Sequence, residues 1–190
     1  MRYELNDHEW AAIKPMLPNK PRGVPRVNDR RVLNGIFWVL RSGAPWRDLP
    51  DNFGPYTTCY NRFVRWRRAG VWAKIMSALA GGHDAAVQMI DTSIVRVHQH
   101  GSCITRNRRQ SMGRLRGGLT DALCFSPYLY RARNLVEFNK IKHCRRVATR
   151  YDKLAANYLA FVQLASNRLW LRANASTPWM IDVPETARFV

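Results

Sequence analysis

Apolar residues recur at helical spacing through most of the chain, and clusters of Pro, Gly and Asp interrupt them. Residues 5–17, LNDHEWAAIKPML, predict a first helix. Asn6 can cap it, and Glu9, three residues on, completes a capping-box pattern. Pro15 should end or bend it. A Pro-rich, basic linker follows at 18–27. Residues 28–42 carry the clearest helical pattern: Asn28 is a suitable cap, and Val32, Leu33, Ile36, Phe37 and Leu40 fall on one face. Gly43 suits the position after the last turn, and Pro45 blocks continuation. The 14 residues from 43 to 56 form a loop rich in Pro, Gly and Asp. The next helix, 57–69, turns Tyr60, Phe63 and Val64 inward, leaves Arg62, Arg65, Arg67 and Arg68 outside, and stops at Gly70. This pair of helices is not a tight helix-turn-helix, whose connecting turn takes about 3–4 residues. A short helix, VWAKIMSALAGG, ends in two glycines.

Beyond it the period changes. Val87, Met89, Asp91, Ser93, Val95 and Val97 alternate as on one face of a strand. From 92 to 120 no acid occurs, and the arginines there lie among Gly, Ser and Asn without an apolar period, which predicts a mobile basic loop. Ser126-Pro127 reads as a helix start, so 127–147 is expected to be helical. Residues 152–172 form a further helix with Leu154, Tyr158, Phe161, Val162, Ala165 and Leu169 at helical spacing. The expected class is mainly α: a helical unit (1–82), one strand with a basic loop (83–125), closing helices (126–173) and an irregular tail (174–190).

Charge narrows the choice of partner. Lys and Arg number 31 against 13 Asp and Glu, a formal charge of +18. Such an excess favours a polyanion, above all nucleic acid. No basic amphipathic anchor stands apart from the core helices, and no apolar run reaches the roughly 18–20 residues that cross a bilayer, so no membrane partner is expected. The start, MRYELNDHEW, has no secretory pattern, and Cys59, Cys103, Cys124 and Cys144 form no CxxC pair. They read as reduced thiols of a cytoplasmic protein.

Few residues could carry chemistry. Asp91 lies in the strand-like run, and a carboxylate on a rigid strand suits Mg2+, which prefers oxygen ligands. By spacing alone the plainer reading is a strand-end acid bonding local amides. Glu137 sits among Arg and Lys, where an ion pair with Arg133 or Lys140 is the plainer reading. His98 and His100 form an HxH pair without an evident third ligand. The arginines of 57–69 suit sequence-independent phosphate contacts.

Three blocks together carry a resemblance. LNDHEWAAIKPMLP with RRVLNGIFWVLRSGAPWRDLPDNFGPYTTCYNRFVRWRRAGVW is one; MIDTSIVRVHQH with GRLRGGLT is the second; SPYLYRARNLVEFNKIKHCRRVATRYDKLAANYLAFVQLAS is the third. They cover most of residues 3–172, and the chain resembles bacterial insertion-sequence transposases of the DDE class. The resemblance implies an N-terminal DNA-binding region and a ribonuclease-H-like core in which three acids hold Mg2+. By residue match Asp91 is the first acid and Glu137 the last. The second Asp has no counterpart: GGLT runs directly into DALCFSPYLYRARN, and Glu137 stands only 46 positions after Asp91. Two residues of the family pattern are also absent after Glu137, which turns one side of that helix by about 200° against the other.

The resemblance therefore implies an internally deleted transposase with impaired catalysis. Its DNA contacts would come from Arg62, Arg65, Arg67, Arg68, Arg114, Arg116, Lys142, Arg145 and Arg146. Its partners would be transposon ends, and a second copy or an intact transposase. Two alternatives stand beside it: a residual metal-dependent nuclease using Asp121 as a third acid, and a small basic nucleic-acid-binding protein without catalysis.

Overall fold

Asn6 caps the first helix, α1 (Asp7–Ile13), as its spacing from Glu9 predicts. Asn6 Oδ1 accepts the Glu9 N–H at 2.6 Å, and Glu9 Oε2 accepts the Asn6 N–H at 2.9 Å. Pro15 does not kink α1; it lies in a 3-10 turn, Lys14–Met16, that ends it. The computed structural model describes residues 4–18, 28–81, 92–99, 112–115, 118–124 and 141–175. Its further helices are α2 (Asp29–Ser42), α3 (Tyr56–Arg68), α4 (Val71–Gly81), α5 (Arg145–Ala148) and α6 (Ala155–Ala175). Asn28 caps α2 by accepting the N–H groups of Arg30 and Arg31.

The core unites helices from both ends of the chain. The apolar face of α2 buries Val32, Leu33, Ile36, Phe37, Val39 and Leu40, and α3 buries Cys59, Phe63 and Trp66. Helix α6 closes over them with Tyr158, Phe161, Val162, Leu164, Ala165, Trp170 and Leu171. The Phe63 and Phe161 rings stack at 4.6 Å, and Trp66 meets Trp72 edge-on at 5.5 Å. Polar groups tie the same elements. Arg168 of α6 pairs with Glu9 of α1 at 2.6 Å and donates to Glu4 O at 2.9 Å. Asn167 donates to Trp72 O at 3.1 Å. Glu9 is 2% exposed, so its charge is held by a partner some 159 residues away in sequence.

The mainly helical class is as expected, but the expectation of one strand is corrected. Four strands are described: β1 (Thr92–Val97), β2 (Met112–Leu115), β3 (Gly118–Cys124) and β4 (Thr149–Arg150). They form one mixed sheet in the order β2-β3-β1-β4. β1 runs antiparallel to β3, with Val95 opposite Asp121, and parallel to β4, with Val97 opposite Arg150. β2 and β3 pair antiparallel, with Leu115 opposite Gly118. The basic loop expected from 92 to 120 therefore contains three paired segments. Backbone pairing there does not need an apolar period, because the ladder satisfies N–H and C=O groups whatever the side chains. Val95 and Val97 are buried, and Val95 joins the core of the helical body.

The continuous helix expected over 127–147 is also corrected at its described end. Residues 125–140 lie outside the described residues. After Lys142 the chain turns: Cys144 donates to Ile141 O at 3.0 Å, adopts an extended conformation, and accepts from Val147 and Ala148 to start α5. Arg146 of α5 is buried and bidentate to Asp152, both bonds at 3.1 Å, and its third bond goes to Ala44 O at 2.9 Å. Arg150, fully buried, donates to Asp152 O at 3.0 Å.

Gly43 ends α2 at φ +71°, and a Cβ there would stand 2.9 Å from Arg145 Cβ. Gly70 has φ +68°, and a Cβ there would meet nothing within 4 Å. Gly70→Ala should therefore cost about 1–2 kcal/mol from backbone strain alone. Gly43→Ala should cost more, since Arg145 must also move. Urea unfolding of the two variants measures the difference; equal costs would show that the α2–α5 approach yields freely.

Candidate nucleic-acid interface

The arginines of α3 divide into two sets. Burial of Cys59, Phe63 and Trp66 turns Arg65 and Arg68 to solvent, three residues apart on one helical face. Arg62 and Arg67 are half-buried and have internal partners. Arg62 pairs with Asp29 of α2 at 3.3 Å and lies over the Trp66 ring at 5.4 Å. Arg67 donates to Asn157 Oδ1 of α6 at 2.5 Å. These two hold α3 against α2 and α6, while Arg65 and Arg68 face outward.

The C-terminal candidates divide likewise. Lys142 and Arg145 are exposed. Arg146 is 7% exposed, with its guanidinium between Asp152 and the Phe161 ring, 5.1 Å away. Arg114 lies in β2, described here by its backbone; Arg116, Asp91 and Glu137 lie outside the described residues. His98 donates its backbone N–H to Arg150 O at 2.9 Å, and its ring stands 5.0 Å from that of Tyr151. His100 lies outside the described residues.

A groove of about 360 Å³ opens between the last turn of α2 and the turn before α5. Trp38, Arg41 and Ser42 line one side, His143 and Arg145 the other. Arg41 spans it, donating to His143 O at 2.6 Å. Beside it lies Cys144. Burial pushes that thiol above its ordinary range, while Arg41, Arg172 and Arg168 pull it the other way. Burial likewise raises the Cys59 thiol, against the pull of Arg31. Sequence reasoning singled out Arg145 but missed Trp38, Arg41, Ser42 and His143. The two walls lie about a hundred residues apart in sequence, and no local pattern links them.

Among the described residues no group of three or more His, Cys, Asp or Glu side chains could hold a metal ion. No helix among them is long and apolar enough to cross a membrane. What the described surface offers is cationic: outward arginines on α3, and a groove with arginines on both walls.

That surface belongs to a basic protein built mainly of helices. Comparison with known proteins gives the family. Residues 5–76 match the family model described as "Putative transposase of IS4/5 family (DUF4096)". The chain is 38% identical over 117 residues to "Uncharacterized protein y4sN" of Sinorhizobium fredii, covering 60% of this chain and 94% of that one. It is 37% identical over 106 residues to the "Insertion element IS402 uncharacterized 16.2 kDa protein" of Burkholderia cepacia, covering 48% of this chain and 72% of that one. No solved structure matches. The chain belongs to this IS4/5 transposase family of insertion-element proteins.

Proposed function

We propose that the chain binds DNA at the ends of its insertion element and does not complete strand transfer. The observation that carries the reading is the pair of outward arginines on α3, Arg65 and Arg68, inside the segment matched by the transposase family model. The charge of +18 supports it, because neutralising backbone phosphates releases counterions. Cytoplasmic, nucleoid-associated location and association with a second copy or an intact transposase follow from the same reading.

The catalytic part rests on the acids. In the DDE class that the chain resembles, Mg2+ supplies the Lewis acidity that activates water or a DNA 3′-hydroxyl. Two such ions, about 3.5–4 Å apart, need several carboxylates in a fixed frame. The four described strands contribute one acid, Asp121. Asp91 precedes Thr92 directly in sequence, Glu137 follows 46 residues later, and the family's second Asp has no counterpart. This donor set does not fit a two-ion centre.

One observation favours a second reading, a residual nuclease. The sheet is more than a lone strand, and its pairing sets Asp121 opposite Val95 on the strand that Asp91 leads into. Mg2+-dependent nicking abolished by Asp91→Asn would favour it.

Binding is tested by fluorescence anisotropy on an end duplex across a salt series. Replacing Arg65 and Arg68 with Ala should flatten the slope of log K against log salt by about 1.8, at about 0.9 per phosphate contact. Affinity that ignores salt, or a slope that survives the double substitution, contradicts the assignment.

A further inference from the structure

The groove between α2 and α5 has the chemistry of a phosphate seat. Arg41 and Arg145 supply permanent positive charge from opposite walls, Ser42 and His143 can donate hydrogen bonds, and among the described residues that line it there is no carboxylate. Trp38 adds a flat apolar wall of the kind that packs against a sugar or a base. The groove's shape is fixed by interactions that do not use its exposed cation. Gly43 lets the α2 terminus approach Arg145 to within a Cβ contact, the Arg41–His143 bond ties the rims, and Arg146 anchors α5 to Ala44 from beneath. Arg145 is thus held in place by its backbone while its side chain stays exposed.

We propose that this groove seats a phosphate of the DNA backbone, with Arg145 as the outward donor, Arg41 as the second charge and Trp38 as the wall. The inference rests on the DNA-binding reading and deepens it. The grip on DNA is composite: one wall comes from residues 38–42, inside the family-model segment, and the other from residues 143–145, outside it. DNA held there bridges both parts of the chain and presses α5 against α2. The outward arginines of α3 then serve as a separate phosphate contact.

The test measures duplex affinity across a salt series for the full chain and for Arg145→Gln, Arg145→Lys, Lys142→Gln and Lys74→Gln. Lys74 is exposed on α4, away from the groove, and controls for loss of one charge. Arg145→Gln should flatten the slope by about 0.9, so that its affinity falls roughly eightfold less than that of the unsubstituted chain over each decade of salt, for one lost contact. Arg145→Lys should restore most of the slope, and Lys74→Gln should leave it unchanged. Lys142→Gln, next to His143 in sequence, should flatten it less than Arg145→Gln. Equal melting temperatures establish that the exposed variants fold.

If the unsubstituted chain binds duplex with salt dependence and Arg145→Gln keeps its slope, the groove assignment is overturned while the DNA-binding reading stands. A drop for Lys74→Gln as large as for Arg145→Gln overturns it too, since the effect is then general charge. If the unsubstituted chain shows no salt-dependent binding, the DNA-binding reading itself fails, and the groove assignment with it.

Discussion

A fragment of residues 1–82 is expected to show no cooperative thermal transition, whereas the 190-residue chain melts cooperatively. The sequence invites division after α4, yet the interior of the N-terminal helices is completed by α6. Phe63 stacks on Phe161, Arg67 bonds Asn157, Trp72 O accepts from Asn167, and buried Glu9 is paired by Arg168. Without α6 the carboxylate of Glu9 loses its cationic partner, and the faces of α3 and α4 lose their cover. Truncating one buried Phe to Ala typically costs about 3–5 kcal/mol. Losing a whole packed helix exceeds the roughly 5–15 kcal/mol that holds a typical domain together. Circular dichroism melts of the two chains check this. A fragment that melts cooperatively within a few degrees of the full chain would show that α6 adds little.

Asp152→Ala should destabilise the full chain by about 3–5 kcal/mol, because it leaves the Arg146 guanidinium buried and unpaired. Both side chains of the pair are 8% exposed. Arg146 also reaches Ala44 O, so the loss loosens the contact between α5 and the end of α2. Replacing both partners, Arg146→Met with Asp152→Leu, should recover much of the loss, since two apolar groups need no pairing. Urea unfolding measures both. A cost under about 1 kcal/mol for Asp152→Ala, the range of an exposed pair, would mean that water reaches the guanidinium.

Three helix ends were legible because their causes are local. The Asn6–Glu9 capping box, the Asn28 cap and the Gly43 stop each depend on residues within four positions of one another, and each is present. The strands were legible only in part. β1 shows alternation, but MGRL and GLTDALC do not, and their pairing is set by partners elsewhere in the chain. The Gly-Gly pair in RLRGGLT, whose second glycine opens β3, was the available sign of a break between strands.

For the cationic surface, composition gave the net charge but not the division of labour among the arginines. Arg62 and Arg65 look alike in sequence; one faces Asp29 across the α2–α3 contact and the other faces solvent. Arg146 follows Arg145 directly, yet its partner six residues on meets it only because α5 and β4 fold the chain back. The groove needs the α2–α5 contact, which no local pattern encodes.

The central claim is that this family member keeps a DNA grip and has lost the catalytic centre. It is tested most directly by incubating the full chain with an end-containing duplex and Mg2+, then following retardation and strand integrity on the same sample. The predicted result is salt-sensitive retardation with every strand intact. Mg2+-dependent nicking that disappears in Asp91→Asn would contradict it.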